Sequence, residues 1–166
     1  VSIDRFDDIV DKQLQEHPEI ARYLKDLDAY STETFDHSIN VALLTFTELL
    51  KKGMYSEEEI EEWVGAALVH DAGKLTTPIA LLHADSNLDK DDISKLMRHS
   101  IDGLRVALDY NFSEICTAAI IGHHLSAESL ESPNFENVGK SKYAWRSEFG
   151  ESYIKDIMQE HLGTLT

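Results

Sequence analysis

The sequence predicts an all-α domain, a helical bundle without a sheet. Three observations predict it. Apolar residues recur every three or four positions through most of the chain. Residues that cap or stop helices fall between those stretches. No run alternates apolar and polar residues as a half-buried strand does. At 166 residues the chain is long enough to bury a single core.

Each element has its own signal. Residues 3–14 carry Ile3, Phe6, Ile9, Val10 and Leu14 at helical spacing. Pro18 suits the first turn of a second helix, running to about Leu27. Residues 33–51 form the longest stripe, through Phe35, Ile39, Ala42, Leu43, Phe46, Leu49 and Leu50, and Gly53 is the expected stop. Ser56 followed by Glu59 has capping-box spacing. It opens a helix through Ile60, Trp63, Val64, Ala67 and Leu68, with Gly73 as its expected end. Residues 75–88 contain Pro78 and Asn87 and read as a connection with one helical turn at 79–82. Asp89 caps what reads as one helix through Ile93, Leu96, Met97, Ile101, Leu104 and Leu108. Ser113 opens the next, through Ile115, Ala118, Ala119 and Ile120 to about Gly122. The polar stretch 125–141 reads as a loop, and 142–162 as one or two short helices.

The expected organisation is one domain over 1–166. N-terminal helices occupy 1–30, a helical core 31–124, and a loop with C-terminal helices 125–166. The bundle is expected from 33–51, 57–70, 90–108 and 113–124, with Phe35, Phe46 and Trp63 in its core.

Charge narrows the function. There are 31 acidic against 15 basic residues, a net charge of −16, which excludes the basic surface a DNA or RNA duplex requires. Most of that charge reads as solvated surface. An anionic substrate then needs a local cationic site, and bound metal ions can provide one. No apolar run approaches the length of a membrane span, and nothing resembles a signal peptide. The single Cys116 excludes an internal disulfide framework and suits a reducing, cytoplasmic setting. The start at Val1 carries the expectation of an upstream regulatory domain and a protein partner.

The chemistry concentrates in His70-Asp71-Ala72-Gly73-Lys74 and in His37, His99, His123 and His124. Five of the eight histidines therefore lie at or near the ends of separate helical patterns. Imidazole and carboxylate are the common ligands of catalytic transition metals, and a carboxylate can bridge two ions. Taken singly, each residue has a plainer explanation. His70 and Asp71 suit a helix end and a turn, His37 an amphipathic surface, His99 a salt bridge beside Arg98, and His123-His124 a solvated loop. Lys74 suits a helix terminus. Helix ends converging on one metal centre account for all of them together. His17, His83 and His161 fit no such pattern and read as surface residues.

The order of these motifs resembles the HD superfamily of metal-dependent phosphohydrolases. The likeness runs from Asp28-Ala29-Tyr30-Ser31 and His37-Ser38-Ile39-Asn40-Val41 to His70-Asp71-x-Gly73-Lys74. It continues through Pro78, Leu82, Leu88 and Asp91-Asp92 to His99 with Gly103, and to His123-His124, covering residues 28–124. It is closest to the HD-GYP branch, whose members open cyclic di-GMP. The resemblance implies an HD-domain helical bundle holding two or three divalent metal ions, iron or manganese. By that pattern His37, His70 and Asp71 hold one metal. Asp71 bridges to a second, completed by His99, His123 and His124. Glu33, four residues before His37, matches the position of a third-metal ligand, and Asp156 the position of a late ligand to the first metal. Lys74 matches a lysine that contacts substrate phosphate, and Asp71 and Lys74 are the catalytic pair the pattern implies.

The departures from the pattern bear on substrate. No Gly-Tyr-Pro follows His123-His124; the segment reads Leu125-Ser126-Ala127-Glu128-Ser129-Leu130-Glu131-Ser132-Pro133. Ser100 stands where a proline is usual, and His83-Ala84 where a basic residue is usual. These positions shape the substrate pocket and leave the metal ligands intact. Three functions fit: a phosphodiesterase acting on cyclic di-GMP or a related cyclic dinucleotide, an HD-type hydrolase of nucleotides or phosphomonoesters, and a metal-binding regulatory module without turnover.

Overall fold

The computed structural model of the chain describes residues 3–84 and 87–124. Every regular element among them is helical. Helix α1 (Ile3–Glu16) buries Phe6, Ile9 and Gln13, and α2 (Pro18–Tyr30) buries Ile20, Tyr23, Leu24 and Leu27. Pro18 sits in the first turn, where its missing N–H removes no helical bond. Ser31 ends α2 and starts α3 (Thr32–Lys52), its hydroxyl accepting from the Thr34 N–H. Gly53 stops α3 at φ 65°, donating its N–H to the Leu49 carbonyl. Leu, Phe or Tyr there would be strained, because a Cβ disfavours that left-handed conformation.

Helix α4 (Glu57–Val69) opens with the expected capping box: Glu59 N–H donates to the Ser56 hydroxyl, and Ser56 N–H to the Glu59 carboxylate. From Val64 to Asp71 every residue is buried, so the second half of α4 is the spine of the domain. It packs against α1, α2, α3 and the last described helix. Lys12 of α1 reaches both carboxylate oxygens of the buried Glu61 at 2.8 Å, which gives that charge its partner.

A 3-10 turn over Ala72–Thr76 follows α4, then the short α5 (Ile79–Leu82). Gly73 is therefore not the stop of α4, contrary to expectation. It lies inside the turn, and a Cβ built on it would meet the His99 carbonyl oxygen at 1.7 Å. Its role is close backbone approach, which periodicity does not register.

The expected single helix from Asp89 to Leu108 is two helices. Helix α6 (Lys90–Met97) ends at Arg98, and α7 (His99–Tyr110) begins directly after it. The apolar spacing runs through the break without a gap, so the pattern alone could not show it. Burial differs sharply across it: α6 has no fully buried residue, whereas α7 buries His99, Ser100, Ile101, Gly103, Leu104, Val106 and Ala107. Helix α8 (Glu114–Gly122) is capped by Ser113 and packs on α4 and α7. Phe46 is fully buried as expected, and Phe35 and Trp63 are half-buried at the edge of the core. No helix among the described residues is long and apolar enough to cross a membrane. The expected loop at 125–141 and helices at 142–162, with Glu128, Glu131, Asp156 and His161, lie outside the described residues.

Candidate metal centre

Four chain segments deliver the site. Helix α3 presents His37 from its second turn. The end of α4 presents His70 and Asp71. The start of α7 presents His99, and the end of α8 presents His123 and His124. The 3-10 turn after Asp71 holds these segments in register, because Gly73 packs directly on the His99 and Gly103 backbone. Gly103 in turn packs against Ile120 of α8, where a Cβ would meet Cγ2 at 2.3 Å. The two glycines thus let α4, α7 and α8 bring their ends within one imidazole's reach.

Asp71 lies at the middle and is almost fully buried. Its two oxygens face different partners. Oδ2 is 3.5 Å from His37 Nε2 and 3.3 Å from His70 Nε2. Oδ1 is 3.2 Å from His99 Nε2 and 3.3 Å from His123 Nε2. His124 Nε2 joins the second set at 3.0 Å from His99 Nε2. The ligand atoms of His37, His70 and Asp71 lie within 4.8 Å of one another, and so do those of His99, His123 and His124.

The orientation of the rings is set by the backbone. His70 Nδ1 donates to the Ala67 carbonyl at 2.7 Å, His123 Nδ1 to the Ile120 carbonyl at 2.9 Å, and His99 Nδ1 to the Leu96 carbonyl. In a neutral imidazole that bond uses the only N–H and leaves Nε2 as a lone pair. His99 and His123 then face each other through lone pairs, with the two Nε2 atoms 2.9 Å apart. Such a contact is stable only around a cation.

A proton fits this role poorly. Burial pushes the His123 and His37 imidazoles below their ordinary range, against the pull of Asp71. Burial, with His123 and His99 beside it, brings His124 down to about 4. Burial opposes the charge on Asp71 as well, but contacts from His123, His70 and His99 outweigh it and hold the carboxyl well below the usual carboxylate range. The donor set, one ionised carboxylate among imidazoles whose Nδ1 is engaged by backbone at His70, His99 and His123, fits divalent metal ions.

Lys74 lies one turn after Asp71 and places its ammonium 2.7 Å from Oδ2, the oxygen on the His37 side. A quarter of its side chain is exposed, so it also faces the open side of the site.

The structure brings together six of the expected ligands: His37, His70, Asp71, His99, His123 and His124. Glu33 lies exposed in the first turn of α3, one helical turn before His37. Of the remaining histidines, His17 contacts Glu19 and His83 contacts Ser31, both away from the ligand sets. Sequence reasoning missed Tyr30, whose hydroxyl donates to the Thr77 carbonyl and pins the end of the 3-10 turn that carries Lys74. The tyrosine lies in the quoted Asp28-Ala29-Tyr30-Ser31 motif, which was the available signal. The three carbonyls that orient the rings carry no sequence signal, since any residue supplies one.

Comparison with known proteins agrees with this geometry. The HD domain model matches residues 34–161. The 3'3'-cGAMP-specific phosphodiesterase 1 of Vibrio cholerae serotype O1 is 34% identical over 98 residues, covering 59% of this chain and 22% of that relative. The chain thus spans about a fifth of the length of the curated relative it matches. No solved structure matches the chain.

Proposed function

The chain belongs to the HD domain family of metal-dependent phosphohydrolases, and on that premise we propose that it is a phosphodiesterase opening a cyclic dinucleotide at a two-metal centre. One observation carries the proposal: the two oxygens of Asp71 are divided between two histidine sets, as a bridging carboxylate requires. The name of the Vibrio cholerae relative supports a cyclic dinucleotide, and places 3'3'-cGAMP beside cyclic di-GMP as a first substrate to test.

In this reading His37, His70 and Asp71 would hold one ion, and His99, His123 and His124, with Asp71 between the two sets, would hold the other. Iron and manganese both suit a set rich in imidazole with one carboxylate. Glu33, one helical turn before His37, is the candidate ligand for a third ion, and Asp156 for the first. The ions, when bound, supply Lewis acidity and a nucleophile at neutral pH. The chain's own residues do the rest. The carbonyls of Ala67, Leu96 and Ile120 fix the ring orientations, so that each Nε2 is presented without rearrangement. Lys74 lies beside Asp71 and partly in solvent, where its ammonium can stabilise charge developing on a phosphate oxygen. The buried, neutral Cys116 is consistent with a cytoplasmic site of action.

A second reading rests on the missing Gly-Tyr-Pro segment: an HD-type hydrolase of nucleotides or phosphomonoesters. A regulatory module that binds without turnover is the third. Iron- and manganese-loaded protein should be assayed on cyclic di-GMP, 3'3'-cGAMP, mononucleotides and an aryl phosphodiester. The expected result is metal-dependent opening of a cyclic dinucleotide. Hydrolysis confined to monoesters selects the second reading, and binding of a cyclic dinucleotide without cleavage selects the third.

A further inference from the structure

A pocket of about 120 Å³ lies where α1 ends and α2 and α8 begin, against the side of α4. A single water needs roughly 10–15 Å³ of such space, so the pocket admits a small molecule. It shares no residue with the metal ligand sets. Cys116 lines it from the first turn of α8, about 10 Å along that helix from His123. The floor holds a polar group without a partner. Gln13 is only 4% exposed, yet its side-chain amide makes no hydrogen bond among the described residues. The amide is not sealed in the core; it opens on the pocket. Gly65 of α4 makes room for it, since a Cβ there would meet Gln13 Oε1 at 2.5 Å. Leaving such an amide unpaired is costly, and a ligand that pairs with it recovers the cost.

The walls set the charge. Glu19 and Glu62 line the pocket, and among the described residues no lysine or arginine does. Both carboxylates face the same space: burial pushes the Cys116 thiol up, and Glu19 and Glu62 push it further. His17 Nδ1 lies 3.2 Å from one oxygen of Glu19 and leaves the other for a ligand. The N-terminal ends of α2 and α8 and the C-terminal end of α1 meet here, so their poles sum to roughly half a positive charge, less than the two carboxylates carry. Ile20 and Ile115 add apolar wall. We propose that this pocket binds a small organic ammonium ion, its N–H groups shared among the Gln13 amide and the Glu19 and Glu62 carboxylates, its alkyl part against Ile20 and Ile115. A bare metal ion is served less well. Among the described residues, the sets of three ligand atoms within 4.8 Å of one another belong to the metal centre and not to this pocket. An anion meets two carboxylates, and a purely apolar molecule leaves Gln13 unpaired.

Butylammonium is the probe. Calorimetric titration of the metal-loaded, full-length protein should show saturable binding at physiological salt, which screens the general acidic surface. Butyrate and butanol should not bind. Glu19→Gln combined with Glu62→Gln should weaken binding by roughly tenfold or more, because charge-assisted hydrogen bonds are lost. Gly65→Ala should weaken it from the opposite wall, by pushing the Gln13 amide into the space. Glu48→Gln, at an exposed acid on α3, should leave binding unchanged. Far-UV circular dichroism confirms that each variant is folded. Binding that survives both the double variant and Gly65→Ala lies elsewhere on the acidic surface and overturns the proposal. So does equal affinity for butanol, or the absence of saturable binding, which leaves the pocket to water.

Discussion

The two halves of the candidate metal centre are built differently. On the Asp71 Oδ2 side stand His37, with 52% of its side chain exposed, and the partly exposed Lys74. On the Oδ1 side stand His99 and His123, exposed by 5% and 15%, held by their Nδ1 bonds to backbone carbonyls. The first half opens to solvent at His37 and Lys74, with His70 buried behind them. The second is closed at His99 and His123, reaches solvent at His124, and is made of imidazoles held by helix ends. The contrast teaches that one carboxylate can join a set beside a cation to a set of imidazoles alone. Four substitutions and one alkylation measurement test the comparison.

The largest effect is expected at the residue they share. Asp71→Ala removes an oxygen from each half, so bound metal should fall in both and hydrolysis should be lost. Elemental analysis checks this; full metal content in the variant contradicts a bridging role. Next comes the contact that sets the halves' spacing. Gly73→Ala drives a Cβ into the His99 carbonyl, a backbone atom that cannot swing away. A loss of about 3 kcal/mol in urea unfolding is expected. Gly103→Ala meets the branch methyl of Ile120 at 2.3 Å and the Gly73 backbone nitrogen at 3.3 Å, and should cost less, about 2 kcal/mol. Equal losses in the two variants would show that the Gly73 contact has no special place in the spacing.

Lys74→Ala acts on the open half alone. Turnover should fall by about 10²-fold with metal content unchanged, because an ammonium stabilises phosphate charge and does not ligate the ions. Loss of metal in that variant would assign Lys74 to the assembly of the site. The smallest effect concerns the closed half. Cys116 lies on α8, the helix that delivers His123 and His124, and burial pushes its thiol up to about 11. Alkylation at pH 8 should be at least about 10²-fold slower in the native protein than in denaturant. The sign follows from the raised value. The neutral thiol favours the fold up to its unfolded pKa, and that contribution is lost as pH rises through about 11. Rapid native alkylation near neutral pH would mean that α8 opens locally and that the closed half is not rigid.

Much of this was legible in the sequence, for identifiable reasons. Ser56 and Glu59 form the box their spacing predicts, and Gly53 stops α3 in the left-handed conformation. Both are local signals that tertiary packing leaves intact. The convergence of His37, His70, Asp71, His99, His123 and His124 was legible because the order of the motifs records the helix ends that carry these side chains. The break at Arg98 was not legible, since Leu96, Met97 and Ile101 keep helical phase across it. Nor was the role of Gly73, because a missing Cβ looks the same in sequence whether it serves a turn or a close approach. The pairing of Lys74 with Asp71 Oδ2 depends on the turn between them, which only the fold defines.

The three carbonyls that orient the rings have one more consequence. They lie at the C-terminal ends of α4, α6 and α8, so three helix macrodipoles aim their negative poles at one point. Each pole carries roughly half an elementary charge, and Asp71 adds a full one. Against that field stand the Lys74 ammonium and the N-terminal end of α7 at His99. Divalent ions held here would offset the remaining negative potential and so favour an anionic substrate.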